Sequence, residues 1–118
     1  MAGLLGLSAV GLAAAGSHVV AGPDAGQAAR VWQAANGMHL LHAAALLALA
    51  PSLVARAPLF LRLAGWAWTA GVLLFSGSLY LRVVLDLPSL RAVAPLGGLL
   101  LMAGWLSVVL AAAGKRTP

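Results

Sequence analysis

Uncharged apolar stretches recur along this chain at 1–21, 32–50, 63–81 and 93–113, separated by short segments that hold every charged residue. A helix needs roughly 20 apolar residues to cross about 30 Å of hydrocarbon at 1.5 Å per residue. Each stretch meets that length, so the pattern predicts four transmembrane helices. Gly22-Pro23-Asp24 breaks the first from the second, because glycine and proline interrupt helical hydrogen bonding. The second is expected to end near Pro51, the third runs between Arg62 and Arg82, and the fourth stops at Gly114-Lys115-Arg116. Residues 24–31 are less apolar and predict an interfacial helical turn leading into the second span, with Asp24 as N-cap. Pro95 suits the first turn of the fourth helix, where a missing N–H costs nothing. The expected fold is an all-α membrane protein, a four-transmembrane-helix bundle with short loops forming a single domain over 1–118.

Composition narrows the class further. Of 118 residues, 63% are hydrophobic and 8% charged, against about 25% charged in ordinary soluble domains. Nine charged side chains could not solvate the surface of such a chain in water, which excludes a conventional soluble enzyme and a disordered chain. With no cysteine, disulfide frameworks, thiolate metal sites and cysteine nucleophiles drop out as well. The net charge of +5 does not read as nucleic-acid binding, because the basic residues flank apolar runs instead of forming a patch. Arg56, Arg62, Lys115 and Arg116 fall on one side of the four spans; Arg30, Arg82 and Arg91, with both acids, fall on the other. Four against three places the termini inside by the positive-inside rule. The first run lacks a positively charged start, so it is expected to remain a helix and not act as a cleaved signal peptide.

Helices in lipid associate through close backbone packing, which small residues permit. Gly3, Gly6, Ala9, Ala13 and Gly16 predict such a stripe on the first helix, with Gly11, Ala15 and His18 beside it, and Gly97 and Gly104 share a face of the fourth. Trp66, Trp68 and Trp32 read as interfacial belt residues, whereas Trp105 is deep enough to pack inside the bundle.

Polar residues inside the spans carry the candidate chemistry. His39 and His42 are i, i+3 on the second helix and Asn36 lies one turn earlier; Ser76 and Tyr80 are i, i+4 on the third, with Ser78 close by and Arg82 at its exit. Antiparallel threading brings these together with His18, at the end of the first helix, in the outer half of the bundle, with His42 nearer the midplane. Imidazoles bind zinc, copper or haem iron, so His18, His39 and His42 form a candidate metal set, and the whole group a candidate pocket for a lipid- or quinone-like ligand. The alternative is interhelical hydrogen bonding, at about 0.6 kcal/mol per group. Arg82 and Asp86 read as a solvated i, i+4 pair. No nucleophile–base–orienter set, paired carboxylates or phosphate loop is present, which argues against an enzyme. No internal repeat or pair of broken helices suggests a transporter.

These residues also carry a resemblance. The segments Ala14-Ala15-Gly16-Ser17-His18, Ala35-Asn36-Gly37-Met38-His39-Leu40-Leu41-His42, Leu74-Phe75-Ser76-Gly77-Ser78-Leu79-Tyr80, Pro88-Ser89-Leu90, Ala94-Pro95-Leu96-Gly97-Gly98 and Ala103-Gly104-Trp105 occur in order over nearly the whole chain. In them the chain resembles the domain of unknown function 423 family, small inner-membrane proteins similar to transmembrane protein 256. It departs at Ser17, where relatives commonly have alanine, and at Met38, where an aromatic residue is frequent. The resemblance implies a multi-span protein of a bacterial cytoplasmic or mitochondrial inner membrane and supplies no activity or cofactor. The expected role is a packing or accessory subunit that contacts the lipid bilayer and other membrane subunits or a second copy of itself; the alternative is a protein with a histidine-lined pocket for a metal, haem or lipid-like ligand.

Overall fold

The computed structural model describes residues 1–114, and these form four long helices: α1 (Ala2–Val19), α2 (Ala25–Val54), α3 (Leu59–Leu85) and α4 (Val93–Ala113). A single 3-10 turn, Pro88–Ala92, precedes α4. All four helices are long and apolar enough to cross a membrane. Their outer surfaces are also apolar: Leu7, Leu73, Met102 and Val109 are each between 61 and 73% exposed. Water would penalise that surface, whereas lipid tails match it.

The connections explain where the helices begin and end. Gly22 adopts φ +101, a conformation open to glycine, and turns the chain into α2. Asp24 occupies the N-cap position as expected, but its carboxylate makes no capping bond; its carbonyl instead accepts from the Gln27 and Ala28 N–H groups, each at 3.0 Å. Residues 25–31 are helical and lead continuously into the rest of α2, as expected. The helix does not stop at Pro51. Proline lacks one donor but keeps its carbonyl, which accepts from Ala55 at 3.3 Å, so the helix runs on to Val54. At 30 residues α2 is about 45 Å long, more than the hydrocarbon thickness, so it tilts or emerges among headgroups. Pro95 does sit in the first turn of α4.

Helices adjacent in sequence pack side by side, with α3 against both α2 and α4 and α1 against α2. One core joins all four helices through Leu5, Ala43, Leu46, Trp68, Val72 and Leu101; a second gathers Trp32, Ala35 and Tyr80. On α3 the inward positions Trp68, Val72, Ser76 and Tyr80 recur every four residues. Glycine notches set the closest approaches. Gly97 lies against the Phe75 backbone, Gly104 against the Trp68 ring, and Gly71 against Leu101.

The stripe expected on α1 is only partly inward. Ala9 is fully buried and Gly16 receives Trp32, but Gly3 and Gly6 face open space and Ala13 is exposed. The reason is angular: positions 3, 6, 9, 13 and 16 wander by about 140° around a helix turning 100° per residue. Three tryptophans also differ from expectation. Trp66 is exposed as a belt residue should be, but Trp32 and Trp68 are buried in the bundle, and Trp105 is 43% exposed.

Candidate functional site

Trp32, Asn36 and His39 share one face of α2, and Tyr80 on α3 and residues 5–12 of α1 close over them. Trp32 enters the notch at Gly16, donates from Nε1 to the Leu12 carbonyl at 2.8 Å, and lies 4.7 Å from the Tyr80 ring, centroid to centroid. Asn36 Nδ2 donates to the Ala9 carbonyl at 2.7 Å and to the Tyr80 hydroxyl at 3.2 Å. His39 reaches Tyr80 through Nδ1 and Ser8 through Nε2, both at 3.4 Å, and Ser8 donates to the Leu5 carbonyl at 3.0 Å. Donor and acceptor capacities allow one arrangement in which every link is used. Ser8 spends its proton on Leu5, so it accepts from His39 Nε2–H; Nδ1 then accepts from Tyr80, whose oxygen accepts from Asn36. Ser76 adds a separate cross-link, donating to the Ala35 carbonyl at 2.8 Å.

His42 belongs to another cluster, with Trp68 and Trp105. Its Nδ1 donates to the Met38 carbonyl at 2.8 Å, one turn back, which leaves Nε2 to accept from Trp105 Nε1 at 3.1 Å. The Trp68 and Trp105 rings lie 4.6 Å apart, and each is 6.0 Å from the His42 ring. Trp68 Nε1 is buried without an acceptor among the described residues.

The structure therefore brings Asn36, His39 and Tyr80 together as expected, with Ser76 alongside, and separates the rest. His18 is exposed on α1. It lies ten residues, or about 15 Å of helix, from Ser8, the level at which His39 packs. His18, His39 and His42 do not form one set, and among the described residues no group of three His, Asp or Glu side chains is placed to hold a metal ion. Ser78 is buried but bonds only within its own helix, to the Phe75 carbonyl at 3.0 Å. Arg82 lines a cavity near the end of α3, outside the hydrogen-bonded seam. It forms no i, i+4 helical pair with Asp86, because α3 ends at Leu85 and Asp86 turns into the left-handed region at φ 49. Ser8 was missed at the sequence level because a lone serine in an apolar run carries no partner signal. Trp32 had one: it is i, i+4 to Asn36 and so shares its face.

Residues 12–98 match the family described as "Protein of unknown function (DUF423)". The chain belongs to the DUF423 family. It is 38% identical over 109 residues to the UPF0382 membrane protein YwdK of Bacillus subtilis (strain 168), covering 90% of this chain and 87% of that one. A UPF0382 membrane protein of Staphylococcus aureus (strain bovine RF122 / ET3-1) is 32% identical over 105 residues, covering 89% and 85%. No solved structure matches this DUF423 protein. As a DUF423 member it is a membrane protein whose relatives carry no assigned role, and nothing in its seam points to catalysis. Both acids of the chain, Asp24 and Asp86, line the same cavity as Arg82, which His18, His39 and His42 do not line.

Proposed function

We propose that this protein is a non-enzymatic packing subunit of a larger assembly in a bacterial cytoplasmic membrane, with its termini on the cytoplasmic side. It joins another transmembrane helix along the outer face of α1. The observation that carries this reading is the face α1 turns away from the bundle. Gly3, Leu7, Gly11, Ala14 and His18 are all exposed, and a Cβ on Gly3 or Gly11 would meet nothing within 4 Å. These positions stay within about 60° of a straight line along the helix. Shallow, side-chain-poor faces are what membrane helices use for close association. The hydrogen-bonded seam supports the same reading: both ring nitrogens of His39 and of His42 are engaged internally, so neither offers a lone pair to a metal, haem or quinone-like ligand.

Because the chain has no cysteine, single cysteines can be placed at will. Gly11→Cys and Ala14→Cys, cross-linked in native membranes, are expected to yield protein adducts of defined mass, while Met102→Cys on the exposed surface of α4 yields none. An adduct at twice the mass identifies a second copy; another mass identifies a different subunit. Equal labelling at all three positions, or none, overturns the reading. A C-terminal reporter active only outside the cytoplasm tests the orientation and should stay silent.

A further inference from the structure

The chain has two acidic residues, and both stand at one cavity. That cavity, about 190 Å³, opens where α2 begins, α3 ends and the 3-10 turn leads into α4. Asp24 and Asp86 share its wall with Arg82 and Arg91, two charges of each sign. Among the described residues none of these four closes an ion pair, although opposite charges at a cavity of this size would gain by doing so. The Asp24 carboxylate makes no capping bond, Asp86 takes a left-handed backbone just past α3, and Arg91 lies on the 3-10 turn that packs against α3. The Gln27 amide and the apolar side chains of Ala28, Val31, Val83 and Pro88 complete the wall.

We infer that this cavity binds the headgroup of a phosphatidylethanolamine-type lipid. A phosphate ester bearing a primary ammonium matches the lining charge for charge. Guanidinium groups bind phosphate oxygens through paired N–H donors. Carboxylates accept the three N–H bonds of the ammonium. The cavity stands where apolar spans give way to charged connections, which is the depth of lipid headgroups. A soluble anion would use the two arginines and find the two carboxylates repulsive; a zwitterion uses all four.

The test uses the full-length protein, purified in a phospholipid-free detergent, with bound lipid counted by native mass spectrometry against short-chain phosphatidylethanolamine, phosphatidylglycerol and phosphatidylcholine. Phosphatidylethanolamine is expected to bind about tenfold more tightly than either other lipid. Asp24→Asn/Asp86→Asn should abolish its preference over phosphatidylglycerol, and Arg82→Gln/Arg91→Gln should weaken all three lipids. Arg30→Gln, a charge change that does not line the cavity, should alter nothing, and unchanged helical circular dichroism confirms that the variants fold. Equal affinity for the three lipids overturns the assignment. So does free phosphoethanolamine competing as well as the lipid, since the site then recognises a soluble phosphate ester. Neither outcome bears on the cross-linking along α1.

Discussion

Adjacent glycines at 97 and 98 offer a controlled measurement of how the bundle is held. Replacing either with alanine adds one methyl group and the same gain in helix propensity, up to about 1 kcal/mol. Their surroundings differ. At Gly97 a Cβ would lie 2.8 Å from both the Phe75 Cα and Cβ and closer still to its backbone nitrogen, whereas at Gly98 the nearest atom, Phe75 Cδ2, is 3.9 Å away. Carbon atoms pack at about 3.5–4.0 Å, so Gly97→Ala must push α4 off α3 by about 1 Å. The obstacle is backbone and cannot rotate away. Overpacking of this kind costs about 1–3 kcal/mol, and here it acts at the largest interface of the bundle. Gly98→Ala is therefore expected to be neutral or slightly stabilising and Gly97→Ala destabilising, with the two variants differing by about 1–3 kcal/mol. Unfolding in mixed micelles with increasing dodecyl sulfate, followed by far-ultraviolet ellipticity, reads the difference directly. Equal stability, or Gly98→Ala as the weaker variant, would refute the backbone-contact account of the α3–α4 interface.

Tyr80→Phe removes the hydroxyl that links Asn36 to His39 and leaves His39 Nδ1 without its donor; the expected loss is about 1–2 kcal/mol, with altered Trp32 emission because the two rings touch. A parent-like midpoint, or no coupling in a double-mutant cycle with His39→Phe, would show that the long contacts carry no energy. At the α1–α2 turn, Gly22→Ala should cost about 1 kcal/mol because of its positive φ, while Asp24→Asn should change stability by less than about 0.5 kcal/mol, since no side-chain cap is lost; chemical melts of the two variants give the comparison, and a larger loss at Asp24 would mean that its carboxylate caps the helix after all.

Helix number, order and approximate length were legible in the sequence, because the thickness of hydrocarbon imposes a minimum apolar run and charges cannot stay inside it. The meeting of Asn36, His39 and Tyr80 was legible too: spacing put the first two on one face, and antiparallel threading set the depth of the third. Rotational phase was not. In water an apolar stripe marks the buried side of a helix, but here both sides are apolar, so nothing in the pattern told Trp68 from Trp66 or turned His18 outward. The helix limits at Val54 and Leu85 escaped for a similar reason, since Pro51 and Arg82 are tolerated inside a helix that continues into the headgroup layer.

The hydrogen-bonded seam has a consequence for ion leakage. It strings Asn36, Tyr80, His39 and Ser8 into a continuous row of exchangeable hydrogens within the span, the kind of row that conducts protons when both ends reach water. Here both ends finish on backbone oxygens, Ala9 at one and Leu5 at the other. A peptide carbonyl takes a hydrogen bond but passes no proton on, so the row is a cul-de-sac. A membrane that stores a proton gradient can hold this much polarity inside one small protein without being short-circuited by it.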